Sequence, residues 1–129
     1  MSALRKTLSF ASVVEIATGL ALVVDPRFVV ALLVGPNTPV EEIPMGRLPG
    51  IAILALGVAC WPGGQDEQPS AQVFAGMLVY NVLIALFLVY LFVAGHLGGV
   101  LLWPAVVLHG GVALLMASVW RNERVSAPR

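Results

Sequence analysis

Four long apolar runs fill most of this 129-residue chain: Leu4–Val24, Pro44–Trp61, Ala71–Ala94 and Val100–Trp120. A bilayer's hydrocarbon core is about 30 Å thick, and a helix rising about 1.5 Å per residue crosses it in about 20 apolar residues. Each run is close to that length, so the chain reads as an integral membrane protein with the lipid bilayer as its first partner. Only 11% of its residues are charged, whereas a soluble domain carries about 25%. No stretch outside the runs is long enough for a separate soluble domain. Residues 1–129 are therefore expected to form a single membrane-embedded domain.

The punctuation between the runs sets the expected architecture: all-α, an antiparallel four-helix transmembrane bundle with a short interfacial helix after the first span. Asp25-Pro26 pairs a capping residue with a proline at a first helical position, which starts a new helix there. That segment, about 26–34, is too short to cross a bilayer and ends at Gly35-Pro36, so it is placed in the interface. Asn37–Ile43 reads as a polar loop, Pro62-Gly63-Gly64 as the end of the second span and Gln65–Ser70 as the most exposed loop. Gly95–Gly99 reads as a tight turn around His96, and Arg121–Arg129 as a polar tail, disordered beyond its first residues. The first run begins with Arg5 and Lys6 like a signal peptide. However, it is longer than a signal's apolar region, contains Glu15 and leads into Asp25-Pro26-Arg27, so it is read as a retained helix.

Basic residues orient the bundle. Arg5, Lys6, Arg121, Arg124 and Arg129 flank the termini, while Arg27 and Arg47 fall at the opposite end, which favours both termini in the cytoplasm. Trp61 and Trp120 then mark the inner interface and Trp103 the outer one, as in an aromatic belt.

Polar residues inside the runs carry what functional signal there is. Glu15 lies mid-span, where a charge costs about 2.5–3.5 kcal/mol on insertion scales. Ser12, Thr18 and Gly19 share its face, so that face should turn toward other helices. Counting along the spans puts Glu15 about 14 Å deep and His109 about 12–14 Å, with Arg47 about 5 Å deep and able to reach inward. Tyr80 and Asn81, about 20 Å from the same surface, are expected somewhat below and linked by a hydrogen bond or a water. Glu15, Arg47, His109, Tyr80 and Asn81 are thus the candidate binding cluster. One reading makes Glu15–Arg47 a buried ion pair that fixes helix register, with His109 a satisfied core histidine. The other makes Glu15 and His109 a place to hold and pass a proton, an ion or a ligand.

The remaining features point to packing. Gly46-x3-Gly50 and Gly57 form a face for close helix crossing, within the chain or between copies. Pro49 removes a backbone hydrogen bond, so a kink is expected near Met45–Arg47, and Pro104 suits a first turn. Cys60 is the only cysteine, which excludes an internal disulfide and a thiolate metal site; it is read as a small packing residue. Two histidines at different depths of the chain do not make a metal site, no motif for phosphate or nucleophilic chemistry is present, and no cofactor is expected. Zero net charge argues against a nucleic-acid partner.

Several pieces together resemble small, uncharacterised four-helix membrane proteins of bacteria. They are Glu15-x3-Gly19 with Asp25-Pro26, Gly46-Arg47-x2-Gly50, Ala59-Cys60-Trp61-Pro62, Tyr80-Asn81 and Leu102-Trp103-Pro104-Ala105 with Leu108-His109. The four-span layout is more distantly similar to DoxX-like proteins. The resemblance implies the fold and a bacterial inner-membrane location, and it implies no activity. The leading expectation is an accessory or scaffold subunit, rather than an enzyme, that binds another membrane protein, lipid or its own copy, with Glu15 neutralised by Arg47. The alternative is a small proton-coupled transporter or hydrophobic-ligand-binding protein using the Glu15/Arg47/His109 cluster. A carrier would have a water-filled cavity reaching Glu15 and His109, and a ligand binder a pocket open to lipid near Pro49.

Overall fold

The computed structural model describes residues 2–36, 43–63 and 68–126. All regular structure among them is helical, in five helices. Helix α1 (Ala3–Val24) starts where the Ser2 hydroxyl accepts the Arg5 N–H at 3.3 Å, the expected N-cap arrangement. Asp25 then ends α1 and caps α2 (Pro26–Val34), its carboxylate accepting the Phe28 N–H at 3.0 Å while Pro26 takes the first helical position. Helix α3 (Ile43–Ala59) runs continuously through Pro49. Ser70 caps α4 (Ala71–Val93), and α5 (Leu102–Ser126) follows with Pro104 in its first turn.

Helices α1, α4 and the Leu102–Glu123 part of α5 are long and apolar enough to cross a membrane. Helix α3 is shorter, with 17 residues, and its apolar stretch is Gly46–Ala59. It stops two residues before the expected Trp61 because Trp61 precedes Pro62, which disfavours helical backbone there; the Trp61 N–H closes a tighter turn onto Val58 O instead. At the other end of the molecule, α5 begins two residues later than expected and runs on past Trp120 to Ser126. The expected disordered tail is therefore helical as far as Ser126. Residues 37–42, 64–67 and 127–129, parts of the two expected loops and of that tail, lie outside the described residues.

Close backbone approach organises the first helix pair. A Cβ on Gly19 would lie 2.5 Å from Leu54 N, one on Gly50 would lie 2.8 Å from Leu22 Cβ, and one on Gly57 would lie 2.8 Å from Ile16 Cγ1. Later residues of α1 meet earlier ones of α3, so the two helices run antiparallel. The Gly46-x3-Gly50 face, which suited contact within the chain or between copies, serves contact within the chain. The second pair, α4 and α5, also runs antiparallel. Phe74 packs edge-on against Trp120 at 5.4 Å, and Phe92 against Trp103 at 5.1 Å. The pairs meet in a buried core of Leu8 and Ala11 from α1, Cys60, Met77 and Phe74 from α4, and Met116 from α5. Cys60 is a packing residue, as expected.

Helix α2 bridges the pairs at one end. Its start is held near α3, where a Cβ on Gly46 would lie 3.2 Å from Pro26 Cβ. Its last carbonyls, which no helical N–H can reach, accept bonds from the connector before α5: Gly98 N–H to Val34 O, Gly99 N–H to Leu33 O and Leu101 N–H to Leu32 O, at 2.9–3.2 Å. These bonds occupy residues 98–101 and delay the start of α5. The turn ending α4 has His96 in left-handed backbone (φ 50°), with the Leu97 N–H bonded back to Leu91 O.

Two alanine substitutions separate packing glycines from open ones. Gly19→Ala forces a methyl into the α3 backbone and is expected to destabilise the detergent-solubilised protein by about 1–3 kcal/mol, measured by thermal unfolding. Gly76→Ala, where a Cβ meets nothing within 4 Å, is expected to be neutral or stabilising by up to about 1 kcal/mol.

Candidate functional site

Three helices bring polar side chains into the apolar interior. Glu15 on α1 is 0% exposed, Asn81 on α4 is 1% exposed, and His109 on α5 is 6% exposed. Each is set there by its helix's own periodicity. Ser12, Glu15, Gly19 and Leu22 form one buried stripe of α1, and His109 continues through Val112, Ala113 and Met116 on α5. Ala113, four residues after His109, is buried on the same face, while Ala105, four residues before it, is half-buried.

His109 Nδ1 lies 3.0 Å from Asn81 Oδ1 and 3.7 Å from Glu15 Oε1. The Asn81 amide nitrogen donates to Met77 O at 2.9 Å, which leaves Oδ1 as the atom facing the imidazole. An amide oxygen only accepts, so Nδ1 carries the hydrogen and donates it. This assignment rests on the hydrogen-bond network, with Asn81 locking the tautomer. The Nδ1 proton therefore sits between two acceptors, one at bonding distance and one farther off. Nε2 is left with a lone pair, or with a second proton when the ring is a cation.

Among the described residues, neither oxygen of Glu15 has a hydrogen-bond partner, nor does the Ser12 hydroxyl one turn away. The half-buried Tyr80 packs edge-on against His109, with ring centroids 6.2 Å apart. Its hydroxyl lies beside the Glu15 carboxyl but outside strict hydrogen-bond geometry. The cluster thus contains four of the five expected residues.

Arg47 is the exception and corrects the expected ion pair. It is exposed, on the second turn of α3. The contacts of Gly19 with Leu54, and of Gly57 with Ile16 and Ser12 O, put Glu15 level with Gly57. Arg47 lies roughly ten residues along α3 from that level, some 10–15 Å away at about 1.5 Å per residue. That is too far for its side chain, and counting depth from helix ends missed the offset. Asn81 makes the hydrogen bond expected to link Tyr80 and Asn81 to the others, with His109 Nδ1, and Tyr80 packs against the same ring. Ser12 is the residue whose hydroxyl the sequence reading undervalued; its spacing of three from Glu15 was the signal. Among the described residues no group of three His, Cys, Asp or Glu side chains converges as metal ligands would.

Two protonation arrangements leave the Glu15–His109 pair without net charge. A proton on the Glu15 carboxyl beside a neutral imidazole, or a carboxylate beside an imidazolium, gives the same total charge. Burying a carboxylate without either companion is very costly.

No protein-family profile, curated protein or solved structure matches the chain. The DoxX-like resemblance therefore rests on the sequence motifs alone.

Asn81→Leu removes the acceptor that sets the imidazole tautomer. In ¹⁵N spectra of the reconstituted protein, His109 is expected to show a protonated Nδ1 and a lone pair on Nε2, with His96 as the reference. The variant is expected to show a mixture of tautomers and a stability loss of about 1–3 kcal/mol.

Proposed function

We propose that the protein is a small four-span membrane protein that takes up and releases a proton inside the bilayer at the Glu15–His109 pair, as a proton-coupled carrier does. The observation that carries this reading is the complete burial of a carboxyl that has, among the described residues, no strict hydrogen bond and no arginine or lysine beside it, with the Tyr80 hydroxyl nearby and an imidazole nitrogen 3.7 Å away. In the scaffold expectation Glu15 is pinned by the Arg47 guanidinium, an ion pair that fixes helix register. Arg47 does not supply that pin, and the partner that is present, histidine, is the one side chain whose charge changes near neutral pH.

The topology that goes with this reading is an antiparallel four-helix transmembrane bundle in which α3 is the shortest span. Both termini face the cytoplasm of a bacterial inner membrane. Two features support it. Arg5, Lys6 and Arg121 gather at the end opposite Arg27 and Arg47, and Trp61 and Trp103 are exposed at opposite ends of their helices. The bilayer is the partner common to every reading, and nucleic acid has no place in it. An accessory subunit bound to another membrane protein or to its own copy is the second reading. It is favoured by α4, whose apolar span is only 17% buried.

Carboxyl infrared bands across pH 4–9 test the proposal, with Glu15→Gln assigning the band. A band that exchanges with D₂O and titrates in this range, with the His109 signals shifting in parallel, is expected. A Glu15 band that neither exchanges nor titrates contradicts proton uptake and favours the scaffold.

A further inference from the structure

Glu15 needs hydrogen-bond donors in one protonation state far more than in the other. As an acid it carries its own O–H; as a carboxylate it only accepts, at both oxygens. The Nδ1–H of His109 is committed to Asn81 Oδ1 at 3.0 Å and stands 3.7 Å from Glu15 Oε1. That donor alone leaves a fully buried carboxylate poorly held. Two hydroxyls are at hand: Ser12, one turn earlier on α1, and Tyr80, across the helix interface on α4.

Tyr80 is the better prepared of the two. Its ring packs on the buried core that contains Met77 and lies edge-on to His109, with centroids 6.2 Å apart. With the ring fixed, the O–H rotor is what remains free to turn, and its oxygen lies beside the Glu15 carboxyl. Among the described residues, the other titratable group near Glu15 is Cys60, just beyond the end of α3, which acts on it through space and not by a hydrogen bond. Arg47 is too far along α3 to take part.

We propose that Tyr80 is a positioning residue of the proton site: its hydroxyl turns to Glu15 when the carboxyl gives up its proton and holds the carboxylate that results. A hydrogen bond to an ionised group is roughly twice as strong as one between neutral groups, and is strengthened further away from water. Tyr80 therefore eases the departure of the Glu15 proton without carrying charge itself. Asn81 does the matching work for the imidazole, whose Nδ1–H it accepts. The inference rests on the proton reading of the Glu15–His109 pair and names the group that regulates it.

The test is Tyr80→Phe in the full chain, reconstituted in phosphatidylcholine vesicles; it keeps the ring against His109 and removes only the hydroxyl. At any one pH within the titration, the carboxylate-to-acid ratio of Glu15, read from its infrared bands, is expected to fall about tenfold. Ser12→Ala is expected to leave that ratio unchanged. A purely structural role for Tyr80 gives lower stability with an unaltered ratio, and that result overturns the proposal. A fall produced by Ser12→Ala and not by Tyr80→Phe overturns it too. Should Tyr80→Phe misfold, ring-¹³C tyrosine in a Tyr90→Phe protein reports on Tyr80 alone, because the chain has two tyrosines. The Tyr80 C–O stretch is expected to shift over the same pH interval as the Glu15 band; a stretch that stays constant there contradicts the proposal. A Glu15 that is ionised at every pH yet titrates in Tyr80→Phe removes the proton reading and leaves the Tyr80 donor standing. A Glu15 that stays protonated in both proteins overturns both.

Discussion

The near-contact of the α1 and α3 backbones through Gly19, Gly50 and Gly57 is the constraint on which the rest of the molecule depends. It aligns Glu15 with the lower part of α3 and so holds it away from Arg47. The same approach turns the Ser12–Glu15 stripe toward α4 and α5, where Asn81 and His109 meet it. A larger residue at any of the three glycines would separate the helices and change which charges face each other. Helix packing here decides electrostatics.

That packing leaves an interior whose polar groups are unequally satisfied. Asn81 is tied at both ends, donating to Met77 O and accepting from His109. Glu15 and Ser12 are not tied. A protein that needed these groups only for register would gain stability by pairing or replacing them, since unpaired buried acceptors cost about 1–3 kcal/mol each. Their combination with an imidazole held by Asn81 is what the proton proposal rests on.

Much of the fold was legible in the sequence because its signals are local. The apolar runs, the Asp25-Pro26 cap and the Pro62 stop all act within a few residues, and α1, α2 and α4 begin and end within one residue of where those signals place them. The burial of Glu15 was legible too, from the small residues on its face. The identity of its partner was not. Depth counting treats helix ends as coplanar and ignores how far two helices slide past each other, so Arg47 looked reachable, while the hydrogen-bonded link through Asn81 was foreseen. The docking of residues 98–101 on the end of α2 left no sequence signal beyond two glycines, because those bonds join backbone groups more than sixty residues apart.

The central claim is that His109, and not Arg47, is the electrostatic partner of Glu15. A double-mutant cycle on unfolding free energy in detergent measures this directly, using Glu15→Gln with His109→Gln and Glu15→Gln with Arg47→Gln. The account predicts a coupling of about 0.5–3 kcal/mol for the first pair, and additivity within about 0.5 kcal/mol for the second. Coupling between Glu15 and Arg47, with Glu15 and His109 additive, would contradict it.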